Sequence, residues 1–165
     1  MNLLDHLRRM AGNNLWSNDR LYRAVLQLKP GEFEAERTSF FPSLKATLNH
    51  ILAVDHLYLD FLEEGGVGAA AYDDFLLIDE PEALFAAQVA ADRRLIAFCD
   101  RLSAGDLDRQ VATDRREDGM IRSASATSSP TFSCMTSITA ARCTRCCPAP
   151  RSRHRSWMSF CSTMI

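Results

Sequence analysis

An all-α fold, an up-and-down four-helix bundle, is predicted by three runs of apolar residues at three- and four-residue steps and by the short Pro- and Gly-rich breaks between them. A third observation qualifies it: the periodicity fails after about residue 122, so the fourth helix is expected to be corrupted.

The first helix is expected from Asn2 to Leu28, where Leu3, Leu7, Met10, Leu21, Val25 and Leu28 mark an amphipathic stripe. Lys29-Pro30-Gly31 stops it. A second helix is expected from about Ser43 to Glu64, with Pro42 suited to a first turn and Gly65-Gly66-Val67-Gly68 ending it with residues that tolerate positive φ. Asp79, with Glu82 three places on, predicts an N-cap, and Pro81 fits the first turn of a third helix reaching about Leu102. Its buried stripe is Leu84, Ala91, Leu95, Phe98 and Leu102. The polar segment from Asp106 to Ile121 contains the turn dipeptide Asp118-Gly119 and predicts a loop or short β-hairpin.

Residues 1–122 thus form one expected unit, three helices and a connection, and residues 123–165 another of different character. From Met120 to Ile165 there is no Asp, Glu or Lys; Ser, Thr, Arg, Pro and Cys dominate, and no period of 3.6 or 2 persists. Such a segment buries too little apolar surface to offset its chain entropy, so it is expected to be a disordered tail. Pro130, Pro148 and Pro150 further oppose a continuous helix.

The 165 residues fit one domain, and the net charge of −2 with mixed signs gives no footprint for nucleic acid or an anionic membrane. No basic-then-apolar leader and no stretch of membrane-spanning length is evident, so a cytoplasmic location is expected. Six cysteines suggest a disulfide scaffold only until their positions are read. Cys99 alone lies in the first 130 residues; Cys134, Cys143, Cys146, Cys147 and Cys161 follow.

Two histidines of the second helix carry the candidate chemistry. Helical spacing puts His50 on one face with Thr47, Val54, Leu57 and Phe61, pointing toward the core. His56 falls with Asn49, Ala53, Asp60 and Glu63 on what is expected to be the wetter face, largely exposed. On spacing alone His50 is either a hydrogen-bonded core histidine or a ligand.

The segment Asn14-Leu15-Trp16-Ser17-Asn18 followed by Leu21, and Phe41-Pro42-Ser43-Leu44 followed by Thr47-Leu48-Asn49-His50-Ile51 and Asp55, resemble the first two helices of the DinB/YfiT-like family of damage-inducible bundles. The resemblance covers about the first 120 residues. It implies that His50 is the first of three histidine ligands to a divalent metal, zinc or nickel. The other two would come from an H-x-x-x-H pair on the fourth helix, where residues i and i+4 present two imidazoles to one ion. It also implies a stress-response enzyme, a thiol-dependent transferase or hydrolase-like protein. Its partner would be a small-molecule substrate such as a thiol, and the bundle could form a homodimer. The catalytic residues stay unknown, and a non-catalytic binding or structural bundle is the alternative.

No such pair exists here, since the only histidine after His56 is His154. The tail nevertheless carries a trace of one. If each codon is read one nucleotide earlier, the single codons of Met and Trp force the positions of Thr136, Met158 and Ile165 to become Asp, and that of Cys147, after Cys146, must become Leu. Thr131 to Cys147 then permits HLFMHDIHHRGQVHAML, close to the family's fourth helix, with the two ligand histidines at the positions of Met135 and Thr139. A frameshift with its slip near Ile121 to Ala124 is therefore expected, and with it a chain that is metal-free at this site and inactive. Two rival interpretations are weaker. Cys143, Cys146, Cys147 and His154 have ligand-like spacing for zinc, and Arg142, Arg145, Arg151, Arg153 and Arg155 have the composition of a basic arm, but a shifted GC-rich frame produces both without selection.

Overall fold

The computed structural model describes residues 2–64, 73–114 and 120–124. Helix α1 spans Leu3–Val25, α2 Leu44–Glu63 and α3 Pro81–Arg101; a 3₁₀ turn at Ala104–Asp106 follows. Strands β1, Gln110–Asp114, and β2, Met120–Ala124, then pair antiparallel with Gln110 opposite Ala124 and Asp114 opposite Met120. The helices make the fold all-α, and the hairpin lies where the polar segment with its Asp-Gly dipeptide predicts one. The Thr131 to Cys147 stretch falls outside the described residues.

The helix ends differ from expectation in instructive ways. α1 starts because the Asn2 side chain accepts from the Asp5 N–H at 2.8 Å, and it stops at Val25, before the Pro-Gly signal, in a series of turns. Ser43 is the N-cap of α2, its hydroxyl accepting from the Ala46 N–H at 3.1 Å, so Pro42 lies outside the helix rather than in its first turn. α2 ends on Glu64, which itself takes the left-handed conformation expected of the glycines after it. Arg109, 3.4 Å from the Glu64 carboxylate, ties that residue down. The α3 cap is Glu80 rather than Asp79; it makes no side-chain capping bond, and Pro81 begins the helix. Asp79 instead pairs with Lys45 at 2.5 Å.

α3 is the shared partner of α1 and α2. Along α1, Arg8 reaches the backbone oxygens of Asp100 and Leu102, Asn14 and Asn18 reach Asp92, and Tyr22 stacks on Phe85 at 5.2 Å. Rising numbers on α1 meet falling numbers on α3, so these two run antiparallel. Along α2, Asp55 meets Gln88 while Glu63 meets Arg94 and Arg101, so α2 and α3 run the same way. The order is up, down, down, which corrects the simple up-and-down alternation. The reason is the connection over residues 64–80, long enough to return along α2, a helix of 20 residues and so about 30 Å. Its last part does so visibly: the Asn49 side chain accepts from the Ile78 N–H at 2.7 Å and donates to the Ile78 oxygen at 2.9 Å, near the start of α2.

The core is built on Leu7, Ala11, Tyr22, Leu48, Leu52, Leu59, Leu84, Leu95 and Cys99. α2 is the most enclosed helix, with Asn49, Ala53 and Asp60 buried as well as the apolar residues. The wetter face expected for it is largely enclosed, with His56 and Glu63 half-buried, because α3 and the pinned segment around Ile78 cover it. No described helix is long and apolar enough to cross a membrane.

Candidate functional site

His50 sits in the second turn of α2 and is buried, as its spacing predicts. The Phe41 ring stacks on its imidazole with centroids 4.7 Å apart and planes inclined by 27°. Phe41 reaches that position because the preceding loop is closed on itself. The Arg37 N–H donates to the Pro42 oxygen at 2.7 Å, the Ser39 N–H to the Arg37 oxygen at 2.9 Å, and the Ser39 hydroxyl to the Phe41 oxygen. The Arg37 guanidinium donates back to the Glu32 oxygen at 3.0 Å. The Lys45 N–H donates to the oxygen of buried Phe33, anchoring the loop beside the cap of α2.

His56 is less buried than His50 but is not largely exposed, which corrects the expectation for it. Its ring lies 6.2 Å from that of Phe75 in the returning connection. Burial lowers its pKa first, and the Arg94 charge adds to the effect. The two histidines therefore differ as predicted in order of burial, and less than predicted in degree.

Among the described residues no three His, Cys, Asp or Glu side chains converge as a metal would need. Met135, Thr139 and the Cys143, Cys146, Cys147 and His154 set lie outside the described residues. As donors, a thioether at position 135 and a neutral hydroxyl at 139 suit neither zinc nor nickel beside one imidazole. Of the ligand set that the resemblance implies, His50 alone lies among the described residues.

A second polar constellation lies in the core where the three helices meet. Asp92 of α3 accepts from the Asn14 amide at 2.9 Å on one oxygen and from the Asn18 amide at 2.9 Å on both. The Gln88 amide nitrogen donates to Asp55 of α2 at 2.7 Å and, more weakly, to Asp92 at 3.3 Å. All five residues are at most 4 % exposed. Burial raises the Asp92 pKa against the lowering effect of the Asn18, Gln88 and Asn14 donors. Asp55 is pushed up to about 7, by burial first, with the Asp92 charge adding and the Gln88 bond opposing. Gln88 and Asp92 escape a search for apolar periodicity because they are polar. Their signal is positional: Asn14 and Asn18 fill the gap between Met10 and Leu21 in the stripe of α1, and Gln88 fills the gap between Leu84 and Ala91 in that of α3.

Comparison with known families decides what this arrangement belongs to. The family model described as DinB family matches residues 3–126, most of the chain. The chain belongs to the DinB family. The DinB match opens on the first residue of α1 and closes just past β2, so it takes in all three helices and the hairpin. No curated protein and no solved structure matches the chain.

Proposed function

We propose that this DinB chain derives from a divalent-metal-dependent enzyme of a stress or damage response, a four-helix bundle, and that it retains one of three ligands, His50. The intact protein would be cytosolic and act on a small molecule, a thiol or a small electrophile, by thiol-dependent transfer or a hydrolase-like reaction. A metal held by three histidines keeps coordination positions open and lowers the pKa of bound water or of an incoming thiol. From about Arg122 onward the sequence is out of frame, so the present chain is inactive and metal-free at this position. The observation that carries the proposal is His50 itself: buried, stacked on Phe41 and inside the matched region, whose limit at residue 126 adjoins the point where acidic residues vanish.

A non-catalytic helical bundle is the second possibility, favoured by the Asp92 network, which joins three helices without any metal. One protein separates the two. The nucleotide sequence over the codons of Met120 to Ser125 locates the slip, and the frame-restored protein is then assayed for metal. About one zinc or nickel ion per chain, lost in His50→Ala, supports the enzyme; a restored protein with no metal supports the structural bundle. Stoichiometric metal on His50 in the present chain would mean that the tail supplies ligands after all.

A further inference from the structure

The buried cluster at the helix junction is short of protons. Asn14, Asn18 and Gln88 supply amide donors, and against them stand four carboxylate oxygens and the Gln88 carbonyl oxygen. That oxygen is buried and has no hydrogen-bond partner among the described residues. One amide nitrogen, Gln88 Nε2, bridges both carboxylates. No cation among the described residues forms an ion pair with either: the groups acting on Asp55 are Gln88 and Asp92 of α3, and α1 presents only the neutral amides of Asn14 and Asn18 to Asp92. Two full negative charges in so dry a site are costly, and the cheapest remedy is to keep one neutral.

The donors decide which. Asp92 takes three amide side chains and Asp55 takes one, so the charge belongs on Asp92 and the proton on Asp55. We propose that Asp55 and Asp92 form a single-proton site at the junction of α1, α2 and α3, with the proton on Asp55, and that holding this proton makes the bundle more stable in acid than at neutral pH. The raised titration of Asp55 agrees with the direction that the hydrogen bonds dictate. Asp55 is protonated in the folded state at pH values where the unfolded chain has already released that proton. Stability is therefore full below about pH 4, declines as pH rises, and levels off above about 7, where the folded carboxyl ionises too. The site lies within the matched DinB region and does not depend on the frame of the tail.

The test uses the full chain as it stands, with side-chain carboxyl carbons followed by NMR from pH 3 to 9. Asp55 is expected to titrate near 7 and not near 4. Asp92→Asn, which removes the neighbouring charge, should move that midpoint down. Gln88→Met, which removes the donor that steadies the ionised form, should move it up. Asp55→Asn should flatten the pH dependence of the denaturation midpoint between pH 4 and 7. Titration of Asp55 in the ordinary carboxylate range overturns the proposal even if no variant folds, and so does a midpoint indifferent to both neighbouring substitutions.

Discussion

Two polar sites share helix α2, five residues apart, and they are finished to different degrees. Around Asp55 the hydrogen bonds join three helices: α1 gives Asn14 and Asn18, and α3 gives Gln88 and Asp92. Around His50 the described structure supplies a stacked ring and a burial site, and the further ligands implied by the resemblance belong to sequence beyond β2. The difference separates architecture from chemistry. The fold's internal polar lock uses residues placed before position 101, whereas the proposed metal centre would draw on both the first half of the chain and its end. The proposed change of frame in the last quarter would remove the second and leave the first in place.

The contrast is easiest to break at Asp92. Replacing it by Ala takes the carboxylate acceptor from the Asn14 and Asn18 amides and leaves Gln88 its bond to Asp55; with each lost buried acceptor costing about 1 kcal/mol or more, a loss of about 2 to 4 kcal/mol is expected in denaturant unfolding. A loss near that of a surface substitution would mean that the lock contributes little and that α1 is held by its apolar stripe alone. His50→Ala in the present chain should cost less, about 1 to 2 kcal/mol from the lost stacking and the small cavity, with no change in metal content. A change in bound metal would show that the second site is more complete than its donors suggest. The smallest effect is expected from His56. Its folded pKa is lowered, so the neutral ring's contribution is present above about pH 6.5 and is lost as pH falls through the folded value. His56→Gln should remove a shallow acid-side loss in stability, opposite in sign to the Asp55 effect. If acid sensitivity is unchanged in that variant, His56 is already solvated.

Much of the fold is legible in the sequence. The three stripes are written in Leu and Ala at helical steps, and the breaks in Pro and Gly, because burial and backbone geometry act locally along one helix. Direction is not local. That α3 runs with α2 depends on the returning connection, whose fastening, Asn49 on Ile78, joins residues that no periodicity links. The enclosure of α2 is not legible for the same reason: Asn49, Ala53 and Asp60 look like a solvent face until the covering segment is in place. At the site, His50 is found by spacing and resemblance together. The role of Asp55 is not, since an acid on a largely apolar helix reveals its meaning only when Gln88 and Asp92 stand opposite.

The bond pair between Asn49 and Ile78 has a consequence for how the chain tolerates change. A side-chain amide that both gives to and takes from one backbone unit imitates a neighbouring strand, so the segment is moored several residues before α3 begins. The stretch between Glu64 and that mooring is then a closed loop with both ends fixed by other contacts, and the cost of lengthening such a loop grows only logarithmically, about 0.6 kcal/mol per doubling. A graft on the Glu64 side of the mooring is therefore expected to leave the start of α3 in place. The same graft placed between Phe75 and Asp79 would cut the mooring and leave α3 without its starting point.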